Sequence, residues 1–279
     1  MQRRSSQQQQ RSNSLIANLT STRKAICSFT PYLLQEILAN HVQHTLQPEA
    51  FEFDGVILLC DISGFTRLSG QFCVRKDGLD ELSSILCGFM GRIIDCIYSF
   101  GGDVINFAGD ALLVVFKPMR ANNVGAFQRS CQDAVCCAWS LKDITTPTMT
   151  LHVGISCGPI SFELLGGFDN TWSFLISGRC LQELSQCLED APSQHVAITN
   201  SVYSCLEATG YCHLFIDYID GCLIQHAKNE SADMTAVRLP SGNCLISHIN
   251  NIKLIDQWET SVTASLSRRN SMSGGWVGG

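Results

Sequence analysis

Two carboxylates in this sequence stand where chain structure alone gives little reason for them. Asp61 lies in CDISGFT and Asp110 in NFAGDALLVVF, each beside a compact apolar run of the length and composition of a buried strand. An ionised carboxylate in such a place is costly to desolvate unless a cation or strong donors offset it. Magnesium is a hard ion, held by one or two carboxylates while substrate phosphates and water complete its shell. Two aspartates brought together by adjacent strands meet that need. Beside them, Ile62, Ser63, Gly64, Phe65 and Thr66 read as a small glycine-containing turn from strand into helix. The free backbone N–H groups of such a turn bind phosphate oxygens. The chemistry suggested is metal-assisted handling of a triphosphate. Each aspartate also has a purely structural alternative: Asp61 could cap the following helix, and Asp110 could serve as a hairpin-turn residue.

The elements that must position these groups are legible from apolar spacing. Phe51–Cys60 is a strand ending directly at Asp61. After a polar stretch, an apolar stripe from Leu79 to Ile97 marks a long helix, stopped at Gly101–Gly102. Asp103–Phe107 and Ala111–Phe116 form a hairpin with Asp110 at its tip. A second helical stripe runs from Val124 to Leu141, with Asn122 and Asn123 as candidate caps. Strands follow at Met149–Cys157 and Ile160–Leu165, separated by a break at Gly158-Pro159. Then come a strand at Trp172–Ser177, a helix over Cys180–Leu188, a strand at His195–Thr199 and a helix opening at Asn200. This alternation predicts an α+β sandwich, with helices packed on a mainly antiparallel sheet.

The chain has 279 residues and a formal net charge of −6, so it lacks the basic stripe expected of a nucleic-acid binder. Its unbroken apolar runs are far shorter than the roughly 20 residues that cross a bilayer, and no transmembrane segment is expected. Fifteen cysteines, odd in number, without CxxC spacing and mostly inside apolar runs, read as reduced, buried thiols of an intracellular protein. The seven histidines show no HxxxH spacing. Residues 1–29, rich in Gln, Ser and Arg, read as a disordered polar tail; the same composition also resembles a mitochondrial transit peptide. A short amphipathic helix is expected between Tyr32 and Leu46, within a domain spanning 30–230, followed by a partly flexible extension over 231–279. Arg268-Arg269-Asn270-Ser271 fits a basic-directed phosphorylation site.

The segments DGVILLCDISGFTRLS, FGGDVINFAGDALLVVF, LHVGISCGPISFELLGG and FLISG resemble the catalytic core of class III adenylyl and guanylyl cyclases, over about Tyr32 to Gly210. DISGFT and FAGDALL are most similar to the first of the two cyclase halves in the soluble, bicarbonate-responsive adenylyl cyclases. Diguanylate cyclases share the Gly-Gly-acid turn, but here Val104-Ile105 follows it and the second acid comes from AGD. The resemblance implies a ferredoxin-like βαββαβ core. It also implies formation of cyclic AMP and pyrophosphate from ATP, with two Mg2+ or Mn2+ ions per active site. Asp61 and Asp110 would ligate metal, with Ile62 beside them, while the Ile62–Phe65 backbone grips phosphate.

In that family the active site lies between two cyclase domains, the second of which supplies an Asn and an Arg. At the corresponding helix this chain has Gln182, Leu184, Ser185 and Gln186, and Arg179 lies too early to match. Weak or absent activity alone is therefore expected, with a second cyclase domain as partner in cis or in trans. The two cations of the family's bicarbonate site are replaced by Asn106 and Ser185, so bicarbonate stimulation is not expected. A cytoplasmic location is expected, with a mitochondrial or membrane-peripheral pool as the alternative. Guanylyl cyclase activity and a non-catalytic nucleotide-binding or regulatory module are the other functional readings.

Overall fold

The computed structural model describes residues 30–40, 46–119, 123–219, 222–225 and 233–249. They fall in two separate units, Met1–Leu46 and Gln47–Gly279. In the first, Tyr32–Asn40 forms α1. The polar tail over 1–29, the cap candidate Asn122 and the Arg268–Ser271 motif lie outside the described residues.

The second unit is organised around β1, Glu49–Ser63. It pairs antiparallel with β3 (Ala111–Phe116) on one side and with β4 (Thr150–Gly166) on the other. With both edges paired, Val56, Ile57 and Leu58 are fully buried in succession, which is why the sequence shows a continuous apolar run here and not an alternating one. The strand does not stop at Cys60 as expected. Pairing with β3 ends at Cys60↔Leu112, but β4 continues alongside through Asp61↔His152, Ile62↔Leu151 and Ser63↔Thr150.

The remaining elements are α2 (Phe65–Cys73), α3 (Gly78–Ser99), β2 (Asp103–Ala108), α4 (Val124–Leu141), β5 (Trp172–Ser177), α5 (Arg179–Glu189), β6 (Val196–Ile198), α6 (Asn200–Glu207), β7 (Cys212–Ile219), β8 (Cys222–Gln225), β9 (Met234–Arg238) and β10 (Cys244–Ile249). Spatially the strands run β2-β3-β1-β4-β6-β10-β9-β7-β8, with β5 paired to the last part of β4. The α+β class holds. The sheet is mixed, because β4 pairs with β6 and β7 with β9 in parallel.

Helices cover both faces. Val56, Leu58, Cys60 and Ile62 of β1 share one core with Phe89, Ile93 and Ile97 of α3, with Ala134, Val135 and Ala138 of α4, and with Val202 and Leu206 of α6. On the opposite face α5 lies directly on β4: a Cβ at Gly154 would stand 3.0 Å from the Leu188 backbone nitrogen. α3 is long and apolar enough, by length and composition, to cross a membrane, but its stripe of Leu82, Phe89, Ile93 and Ile97 is buried in this core. α4 starts as expected, with the Asn123 side chain accepting from the Ala126 N–H at 2.9 Å.

The helix expected to follow the Ile62–Thr66 turn is α2, which buries only Leu68 and Phe72. One expectation needs correction. Gly158-Pro159 does not break a strand, since β4 runs through it opposite Gly55 and Asp54. The Pro159 carbonyl accepts from the Cys180 thiol. The N–H and C=O of a strand residue point to the same edge, so the donor missing at Pro159 faces away from β1 and costs that ladder nothing. β9 and β10 fall inside the stretch read as an extension over 231–279 and pair into the sheet, with Met234, Ala236, Cys244, Ile246 and Ile249 in its core.

Candidate active site

Asp61 alternates with the core-facing Cys60 and Ile62, so its side chain lies on the face of the sheet that carries Gly154 and α5. It is not a helix cap. The N-cap of α2 is Gly64, and no side chain caps that helix. Gly109 and Asp110 form the two-residue turn between β2 and β3, with φ 70° at Gly109. Extending the β1/β3 register one step past Cys60↔Leu112 sets Asp61 against Ala111, the immediate neighbour of Asp110. Hairpin and strand thus bring both carboxylates to one end of the sheet. Among the described residues, Asp110 takes part in no hydrogen bond or ion pair.

Asp61 is less desolvated than the sequence suggested. Its side chain is 30% exposed, and its Oδ2 lies 2.8 Å from Nε2 of His152. His152 Nδ1 in turn lies 2.9 Å from the Ala191 carbonyl, in the turn after α5. A carbonyl and an ionised carboxylate can both only accept, so for both contacts to be hydrogen bonds the ring donates from Nδ1 to Ala191 and from Nε2 to Asp61. His152 has no counterpart in the sequence reading. The contact joins positions 91 residues apart and depends on the β1/β4 register. The one local sign is that His152 interrupts the core-facing Leu151 and Val153.

The turn read as phosphate-binding is tighter than expected, because only Gly64 separates β1 from α2. Gly64 has φ 96°, and a Cβ there would stand 2.2 Å from the Thr148 carbonyl oxygen. Thr148 is itself fixed, with its N–H and that of Met149 donating to Thr146 Oγ1 at 3.3 and 2.9 Å. The first helical bond runs from the Leu68 N–H to the Gly64 carbonyl at 3.0 Å, which leaves the N–H groups of Phe65, Thr66 and Arg67 without partners inside the helix. Ile62 buries its side chain in the core, so only its main chain is available to a ligand. Asn106 lies on β2, with β3 between it and β1, and its Oδ1 accepts from the Phe107 N–H at 2.8 Å.

On α5, Leu184 is buried, Arg179 is tied to Glu183 at 2.9 Å, and Gln182, Ser185 and Gln186 are exposed. No group of three or more His, Cys, Asp or Glu side chains among the described residues could hold a metal. The donors at Asp61 and Asp110 are hard oxygens, a set suited to Mg2+ or Mn2+ and unlike the nitrogen and sulfur sets of zinc or copper.

No family model matches the chain. Over 144 residues it is 28% identical to adenylate cyclase type 10 of Rattus norvegicus, covering 50% of this chain and 9% of that protein. Against the Homo sapiens protein of the same name it is 30% identical over 139 residues, 47% of this chain and 8% of that one. The photoactivated adenylate cyclase subunit alpha of Euglena gracilis is 28% identical over 144 residues, 50% of this chain and 13% of that protein. The structure of a bacterial light-regulated adenylyl cyclase superposes with a TM-score of 0.53 at 14% identity, covering 89% of this chain and 67% of that one. The fold is that of a class III nucleotide cyclase catalytic domain. Half of the chain is homologous in sequence to adenylate cyclases, while the matched part spans only about a tenth of those proteins. Class III cyclases use divalent metal ions, and their catalytic domains bind nucleotide and pair with a second cyclase domain.

Proposed function

We propose that this cyclase domain supplies the metal-holding half of an adenylyl cyclase site, converting ATP to cyclic AMP and pyrophosphate together with a second cyclase domain. The observation that carries the reading is the placement of Asp61 and Asp110 at one end of the sheet, one tight turn from the open N-terminus of α2. Asp61 and Asp110, with the Ile62 main chain, would hold Mg2+ or Mn2+, two ions per site. When bound, such ions neutralise triphosphate charge and favour the ionised ribose 3′-oxygen. The N–H groups of Phe65 and Thr66 bind phosphate oxygens at the positive end of α2. The 3′-oxygen forms a bond to the α-phosphorus as the bond to pyrophosphate breaks, and the hydroxyl proton passes to solvent. Positioning and charge neutralisation do most of the work.

The absence of an Asn/Arg pair on α5, with Arg179 held by Glu183, supports dependence on a partner domain. It also keeps alive a second reading, a nucleotide-binding module that regulates another cyclase. The free state of every cysteine whose side chain is described supports a reducing, cytoplasmic setting. The deciding experiment incubates the full chain with Mg2+ or Mn2+ and ATP or GTP, with and without a second cyclase domain that carries the Asn and Arg. Cyclic AMP should appear on mixing and fall by about 100-fold or more in Asp110→Ala. Nucleotide binding without product on mixing would favour the regulatory reading, and product from GTP alone would replace the substrate.

A further inference from the structure

We propose that His152 is the positioning residue for Asp61, fixing which carboxylate oxygen faces the metal; this rests on the metal-holding reading above. Asp61 sits on β1 beyond the last residue paired with β3, so only the β4 side steadies it. There His152 is its register partner, and the 2.8 Å contact to Oδ2 leaves Oδ1 to a cation. The imidazole is oriented from behind by the Ala191 carbonyl at 2.9 Å. That arrangement, a ring with one nitrogen on the main chain and the other on a ligand carboxylate, sets direction without contributing a ligand.

The strut reaches further. Asp190, next to Ala191, accepts from Ser241 Oγ at 2.6 Å and from Asn243 Nδ2 at 2.7 Å, both in the turn between β9 and β10. Asp61 is thereby referenced, through His152 and the end of α5, to the last hairpin of the sheet. Packing supports it locally as well: Ala191 is 2% exposed and packs with Cys187 and Ala197, so the carbonyl that orients the ring sits on a fixed backbone.

The test uses the full chain, with Mn2+ alone as probe and its binding read by electron paramagnetic resonance, so that no turnover is needed. His152→Phe keeps a ring and removes both nitrogens; it should weaken Mn2+ binding about 10- to 100-fold. His152→Gln, which restores a donor toward Asp61, should recover most of that loss. Asp110→Ala should abolish binding, which tests the metal site itself. Loss in Asp110→Ala with parental affinity in His152→Phe overturns the positioning role and leaves the metal site standing. Failure of the parent to bind Mn2+ overturns both. Should His152→Phe not fold, nitrogen-15 NMR of the parent decides: the His152 ring nitrogens should shift on addition of Mg2+ and stay unmoved in Asp110→Ala, and an unresponsive ring in the parent overturns the proposal.

Discussion

Asp110 has no described partner, whereas Asp61 is bonded on one side by His152, so the two carboxylates should differ in what they cost the fold. Asp110→Ala removes no hydrogen bond or ion pair seen among the described residues and should change unfolding free energy by less than about 0.5 kcal/mol. Asp61→Ala strands the Nε2 of a largely buried imidazole and should cost about 1–3 kcal/mol. Urea unfolding of both variants without metal tests the contrast, and equal losses would remove the distinction. Gly64 is constrained in a different way. Its φ of 96° and the Thr148 carbonyl 2.2 Å from any Cβ combine a left-handed backbone with a clash against a turn that cannot easily yield. Gly64→Ala should destabilise by about 1–3 kcal/mol and weaken nucleotide binding, because the α2 N-terminus moves with it. Parental stability in that variant would show that the turn is looser than its geometry.

Among the elements, α4 carries a built-in pH response. Burial pushes the Asp133 carboxyl up to about 6, against the opposing pull of Arg129 at 3.1 Å. In the unfolded chain the same group titrates near about 4. The folded state therefore holds this proton more tightly, and the associated stability is complete below about pH 4 and lost as pH rises through about 6. Asp133→Asn should melt above the parent at pH 7.5, with the gain shrinking or reversing at pH 4; a pH-independent difference would exclude the effect. The elements that the sequence revealed are those set by local signals: the apolar run of β1, the Gly109-Asp110 hairpin, and the Asn123 cap of α4. The start of α2 was legible from the Gly64 turn, but its extent was not, because it buries only Leu68 and Phe72. Gly158-Pro159 misled because a breaker signal is local, while β4 is held along its length by β1. His152 was not readable at all, since its role exists only once two distant strands are in register. That Asp61 and Asp110 come to one end of the sheet was readable, because each borders an apolar strand run.

For the whole molecule, the boundary of the cyclase fold matters most. A chain ending at residue 230 would lack β9 and β10 and remove Met234, Ala236, Cys244, Ile246 and Ile249 from the core. Such a truncation should fail to give a cooperative thermal transition, whereas a chain ending at 250 should retain it; circular dichroism during heating distinguishes them. The position of β10 carries one more consequence. It is the last described strand in the sequence but an interior strand in space, seated between β6 and β9. On the ribosome, β1 to β4 and the helices between them can assemble early, while the far half of the sheet waits for a closing piece made much later. Until Cys244–Ile249 emerges, β6 and β9 expose bare edges open to wrong pairing. The end that carries Asp61 and Asp110 is thus finished first, and the contacts behind Ala191 arrive only with the final hairpin.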